Sequence, residues 1–132
     1  MFEIEVCDSR RIVLIHFLGE LSEAHFETLE ALARARQGGD EYDAIFDLTA
    51  VPGTQLTTDF VSKRGQLPQI FQDRARIYVV PQDDLKLLVR LYAAYQAAKG
   101  WRPPVVLETV DEALERLDVE RTDFRSIALP VA

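Results

Sequence analysis

The sequence predicts a single α/β domain: one mixed, mostly parallel five-stranded sheet with about four helices, in the order β-β-α-β-α-β-α-β-α. Three observations predict it. Short apolar or alternating runs of strand length recur along the chain. From the second run onward they are separated by segments with apolar residues at helical spacing, which requires right-handed crossovers between parallel strands. The length of 132 residues matches one core, since single domains organise roughly 100–200 residues.

Each element has a local reason. Phe2, Ile4 and Val6 alternate with Glu3 and Glu5, the pattern of an edge strand with one buried face. Asp8-Ser9-Arg10 turns the chain, and Arg11–Leu18 forms a second strand buried on both faces, so the two make an antiparallel hairpin ended by Gly19. Ser22 as N-cap and Glu23 in the first turn start a helix to about Arg36, with Leu21, His25, Phe26, Leu29 and Leu32 on one face and Gly38-Gly39 as the stop. Tyr42–Val51 is the third strand, broken by Pro52-Gly53. Thr57 or Thr58 caps a short helix through about Arg64, and Gly65 and Pro68 make the following loop. Arg76–Val80 is the fourth strand, Asp83 or Asp84 to Lys99-Gly100 a longer helix, Val105–Glu108 the fifth strand, and Asp111 to about Leu117 the last helix. The domain spans residues 1–117, and residues 118–132 form a C-terminal tail.

Composition narrows the function classes. Hydrophobic residues at 48% suffice for a core and charged residues at 28% for its surface. The single cysteine, Cys7, allows no internal disulfide and no zinc-type cluster. The acidic, alternating start is wrong for a signal peptide, and no apolar run approaches the roughly 20 residues of a membrane span, so a cytoplasmic protein is expected. A net charge of −7 argues against nucleic-acid binding through phosphate neutralisation. The charge is uneven: residues 1–60 carry twelve acids against four bases, residues 61–104 eight bases against three acids.

No set of residues fits a catalytic or metal centre, so no enzyme and no cofactor are expected. His16 lies in an apolar strand and His25 on an apolar helix face, and both read as partly buried packing residues. Asp47, inside a central strand, must be paired or hydrogen-bonded. It either anchors a ligand at the carboxyl ends of the strands or, as we favour, ties down the Pro52-Gly53 loop through backbone N–H groups. The helix from Leu85 to Ala98 carries two apolar stripes where a surface helix needs one. Leu85, Leu88, Val89, Tyr92 and Tyr95 face the core, and Leu87, Leu91, Ala94 and Ala98 form the second stripe. That surplus calls for burial within the domain, a subunit interface or a pocket wall.

The element order and three segments resemble the STAS superfamily, the fold of bacterial anti-sigma-factor antagonists and of cytoplasmic domains of sulphate transporters. The chain is especially similar to small stand-alone STAS-like proteins, related in shape to SEC14-type lipid-binding domains. The segments are Gly19-Glu20-Leu21 after the second strand, Phe46-Asp47-Leu48-Thr49-Ala50-Val51 as the third strand and its turn, and Val110-Asp111-Glu112-Ala113-Leu114 at the start of the last helix. In the antagonists a phosphorylated serine opens the helix after the third strand, within Asp-Ser-Ser-Gly. Laid on this chain, that motif falls on Gln55-Leu56-Thr57-Thr58, with Thr57 at the acceptor position and Thr54 a second hydroxyl in the same loop. Only the hydroxyl survives, and the sequence predicts that Thr57 is a cap and not a phosphoswitch.

The resemblance implies a protein-binding or regulatory module, with a protein partner or a second copy as the favoured ligand. The SEC14-like shape implies an alternative, a small apolar or lipid-like ligand in a pocket lined by Phe60, Tyr92, Tyr95 and Trp101, with a base such as Arg90 or Arg102 meeting an anionic head group.

Overall fold

The computed structural model describes residues 1–35, 42–68 and 74–127. One six-stranded sheet runs in the order β5-β4-β3-β2-β1-β6, with β1 at Phe2–Cys7, β2 at Ile12–Phe17, β3 at Asp43–Asp47, β4 at Arg76–Val79, β5 at Val105–Leu107 and β6 at Arg125–Ile127. β2 through β5 are parallel, and β1 pairs antiparallel with both β2 and β6. The helices are α1 at Glu23–Ala35, α2 at Thr58–Gly65, α3 at Asp83–Ala98 and α4 at Val110–Arg116. The predicted mixed, mostly parallel sheet and four helices are all present.

Two expectations are corrected at the sheet edge. Among the described residues there are six strands, not five, and β1 is not an edge strand. The chain after Asp118 returns through a 3-10 turn at Arg121–Asp123 and pairs Ile4 with Ile127, Glu5 with Ser126 and Val6 with Arg125. The alternation of Phe2–Val6 reports one buried face but cannot report whether the outer hydrogen-bonding edge is covered.

The third strand is shorter than Tyr42–Val51 because its end is pulled into a turn. The Asp47 carboxylate accepts from Thr49 N–H at 2.9 Å, and Val51 N–H donates to the Leu48 carbonyl at 3.1 Å. Gln82 Nε2 then donates to the carbonyls of Leu48 and Val51, each at 2.8 Å. Gly38-Gly39, the expected stop of α1, and the Leu32 side chain lie outside the described residues.

Alternation along the strands builds a core on each face. Phe2, Ile15, Phe17, Phe46, Tyr78 and Val80 meet Leu29 of α1 and Leu85 and Val89 of α3. Ile12, Leu14, Ile45, Ile77 and Val79 meet Ala113 and Leu114 of α4, together with Val119. His25 packs as expected, edge-on to Phe2 and stacked on Phe17. Its Nε2 donates to the Leu18 carbonyl at 3.0 Å and its Nδ1 accepts from Ser22 N–H at 3.2 Å, which fixes the orientation of the ring.

Helices α2 and α3 meet unusually closely. A Cβ on Gly65 would lie 2.6 Å from the Tyr95 Cβ, so only glycine fits there. Gln96, 0% exposed, locks the junction by donating to the carbonyls of Gly65 at 2.7 Å and Leu67 at 2.9 Å.

Candidate functional site

Two polar constellations stand out, one on each face of the sheet. On the α4 face, Glu5, His16 and Asp47 project from adjacent strands β1, β2 and β3. His16 Nδ1 lies 2.6 Å from Asp47 Oδ2, and His16 Nε2 lies 2.6 Å from Glu5 Oε2. Arg121 of the 3-10 turn donates from Nη1 to Glu5 Oε1 at 2.6 Å and from Nη2 to Glu5 Oε2. Two ionised carboxylates offer only acceptors, so both ring nitrogens carry protons and His16 is an imidazolium. The hydrogen bond to Asp47 raises the His16 pKa above its ordinary value, against an opposing effect of burial, and Glu5 adds to the rise. Burial pushes the Asp47 carboxyl up, but hydrogen bonds from His16 and Thr49 outweigh it and hold it below the usual range. Arg121 does the same for Glu5.

His16 is therefore not the packing residue that its apolar neighbours suggested, and Asp47 does not tie down the Pro52-Gly53 loop. Asp47 bonds Thr49 and His16, and Gln82 secures the turn that follows β3. A general base needs a ring nitrogen with a free lone pair. His16 has none, so the chain Arg121–Glu5–His16–Asp47 is a structural clasp that fastens the returning tail to the sheet. Among the described residues no group of three histidine, cysteine or acidic side chains has the geometry of a metal site.

The opposite face holds a half-open cavity of about 50 Å³ between the sheet and helices α1, α2 and α3. Its walls include Phe26, Leu29, Phe46, Leu56, Phe60 and Leu85. Of the residues expected at a pocket, Phe60 and Tyr92 line the cavity. Arg90 is exposed, Tyr95 packs against Gly65, and neither they nor Trp101 reaches the cavity. The bases in the wall are Arg64 and Arg76, not Arg90 or Arg102. Arg102 contributes its carbonyl, which accepts from Arg76 Nη2 at 2.6 Å. The sequence signal for this polar end was present: Arg76 and Tyr78 alternate with Ile77 and Val79, which sets two polar head groups on one face of a central strand.

In the loop before α2, Thr57 is the N-cap, its Oγ accepting from Phe60 N–H at 3.1 Å. Thr58 is the first helical residue, and Asp59 in the first turn pairs with Lys63 at 3.1 Å. Thr54 is fastened to Leu21: its hydroxyl donates to the Leu21 carbonyl at 3.2 Å and accepts from Leu56 N–H at 3.0 Å. Thr57→Ala should lower stability by about 1 kcal/mol, the usual loss for a cap, measured as a shift in the urea midpoint.

On α3, Leu85 and Val89 are buried and Leu88, Tyr92 and Tyr95 half-buried, as the first stripe requires. The second stripe faces outward: Leu87, Ala94 and Ala98 are exposed and Leu91 is half-buried. Among the described residues no helix is long and apolar enough to cross a membrane.

No protein-family model matches the chain, and no curated protein matches it in sequence. Its fold is similar to that of the anti-sigma factor antagonist SpoIIAA in its unphosphorylated form, at 18% identity and a TM-score of 0.59, with 89% of this chain and 98% of that chain covered. The sheet order, the parallel crossovers and this likeness agree that the chain has a STAS-like fold.

Proposed function

We propose that this chain is a non-enzymatic, protein-binding regulatory module, and that it docks through the outer stripe of α3. One observation carries the reading: Leu87 is 66% exposed and continues into Leu91, Ala94 and Ala98 at helical spacing. Scattered exposed leucines are ordinary, but a continuous apolar strip along one helix is the usual mark of a contact surface. Small residues at positions 94 and 98 let a partner helix approach closely, and a second copy presenting the same strip fits this surface by two-fold symmetry. The fold likeness to an anti-sigma factor antagonist supports a regulatory role exercised by binding another protein. That role does not run through phosphorylation of Thr57, because its hydroxyl is the α2 cap and the flanking residues differ.

Light scattering tests the interface. The native chain is expected to self-associate, and Leu87→Arg and Leu91→Arg to give a folded monomer with unchanged circular dichroism. A native chain already monomeric at about 1 mM, a concentration that would populate even weak contacts, would overturn the self-association.

The cavity supports a second reading, binding of a small apolar molecule. Phe60 of α2 and Tyr92 of α3 both line its wall, so a ligand there would touch the two helices.

A further inference from the structure

The polar end of the cavity is chemically incomplete. Arg76 opens β4 and is 4% exposed. Its Nη1 donates to the Tyr92 hydroxyl at 3.0 Å, and its Nη2 donates to the Gln96 side-chain carbonyl at 3.4 Å and the Arg102 carbonyl. Every one of these partners is neutral, and among the described residues Nε has no hydrogen-bond partner. A buried guanidinium without a carboxylate keeps a large desolvation cost, which buried cations ordinarily offset by pairing.

Two residues along the same strand face, Tyr78 is 7% exposed and lines the same cavity. Its ring stacks on Phe46 at 4.6 Å, yet its hydroxyl makes no hydrogen bond among the described residues. Arg76 and Arg64 line the same cavity as Tyr78. Arg64, also in the wall, has its acidic partner Glu30 3.5 Å away. Buried polar groups left unsatisfied are uncommon, and here the Arg76 Nε is one, in the wall of the cavity that Tyr78 also lines. The remaining wall is leucine, valine and phenylalanine.

We infer that this cavity is a binding site for a small amphipathic carboxylate, its head group held by Arg76, Arg64 and the Tyr78 hydroxyl and its short chain lying against Leu56, Phe60 and Leu85. The inference rests on the small-ligand reading above and adds the charge and class of the ligand. A carboxylate supplies what Arg76 lacks, a negative charge, and offers two acceptor oxygens that Arg76, Arg64 and the phenol can share. The volume restricts the chain to a few carbons inside the cavity, with anything longer leaving by the open side.

The test uses the full chain and two probes of equal length, hexanoate and 1-hexanol, followed by amide chemical-shift perturbation. Hexanoate should bind saturably at α2, α3 and β4, about tenfold or more tighter than hexanol, as a charge-assisted contact requires. Arg76→Gln should erase that preference, and Tyr78→Phe should reduce it. Equal binding of the two probes would leave an apolar cavity and overturn the carboxylate inference alone. Saturable binding of neither at about 10 mM would overturn both, the polar groups then being satisfied by ordered water. Hexanoate shifts confined to surface lysines would also overturn the inference. The probe comparison is made on the native protein, so it decides the matter even if Arg76→Gln does not fold.

Discussion

A chain ended after Leu117 is expected to lose cooperative unfolding and to associate through the uncovered edge of β1. The segment removed holds Val119, buried in the α4-side core, and Phe124, packed against it. Burying side chains of this size contributes about 1.5–3 kcal/mol each. The sum is a large part of the roughly 5–15 kcal/mol by which a domain is stable. The exposed ion pair between Arg125 and Asp8 adds little to that. Loss of β6 also frees the backbone groups of Ile4, Glu5 and Val6, turning β1 into a template for another strand. Urea unfolding and size-exclusion chromatography over a range of concentrations are the measurements, with a chain ended after Ile127 as reference. A truncated chain that stays monomeric with an unchanged urea midpoint would show that the tail is dispensable.

Replacing His16 by glutamine is expected to cost about 3 kcal/mol, the low end for breaking a buried ion pair, because His16 is 17% exposed. The substitution leaves Glu5 and Asp47 facing a neutral group, with Arg121 neutralising only Glu5. The effect carries a pH signature. The folded-state pKa of His16 lies above its ordinary 6.5, so its contribution is complete below that pH and is lost as pH rises through the folded-state value. Those of Glu5 and Asp47 lie below their ordinary 4.5 and 3.8, so their contribution is complete above that range and is lost as pH falls through the folded-state values. The stability difference between the native chain and His16→Gln should therefore be greatest from about pH 4.5 to about pH 6.5 and narrow on both sides. Urea midpoints from about pH 3 to about pH 10 measure it, and a difference that stays flat with pH would rule out the imidazolium clasp.

The two constellations differ in how far they were legible. The arginine and tyrosine of the cavity sit two apart in one strand, so strand periodicity alone places them on one face. Their depth was not legible, because it depends on how tightly α2 and α3 close over β4, and that is set by the absent side chain of Gly65 and the carbonyl-binding amide of Gln96. The histidine clasp left no local trace. His16, Glu5, Asp47 and Arg121 are far apart in sequence, and only strand register and the returning tail bring them together.

By itself the sequence determined the order of elements, the mixed and mostly parallel sheet, the cap at Thr57, the two stripes of α3 and the burial of His25. Each of these rests on periodicity or on chemistry within a few residues. Tertiary structure alone decided the sixth strand, the interior position of β1, the charge state of His16 and the choice of Arg64 and Arg76 over Arg90 and Arg102 at the cavity. The physical reason is common to all four. An edge strand and a covered strand have the same side-chain alternation, and the state of a titratable group is fixed by neighbours that chain topology, not local sequence, brings within hydrogen-bond reach.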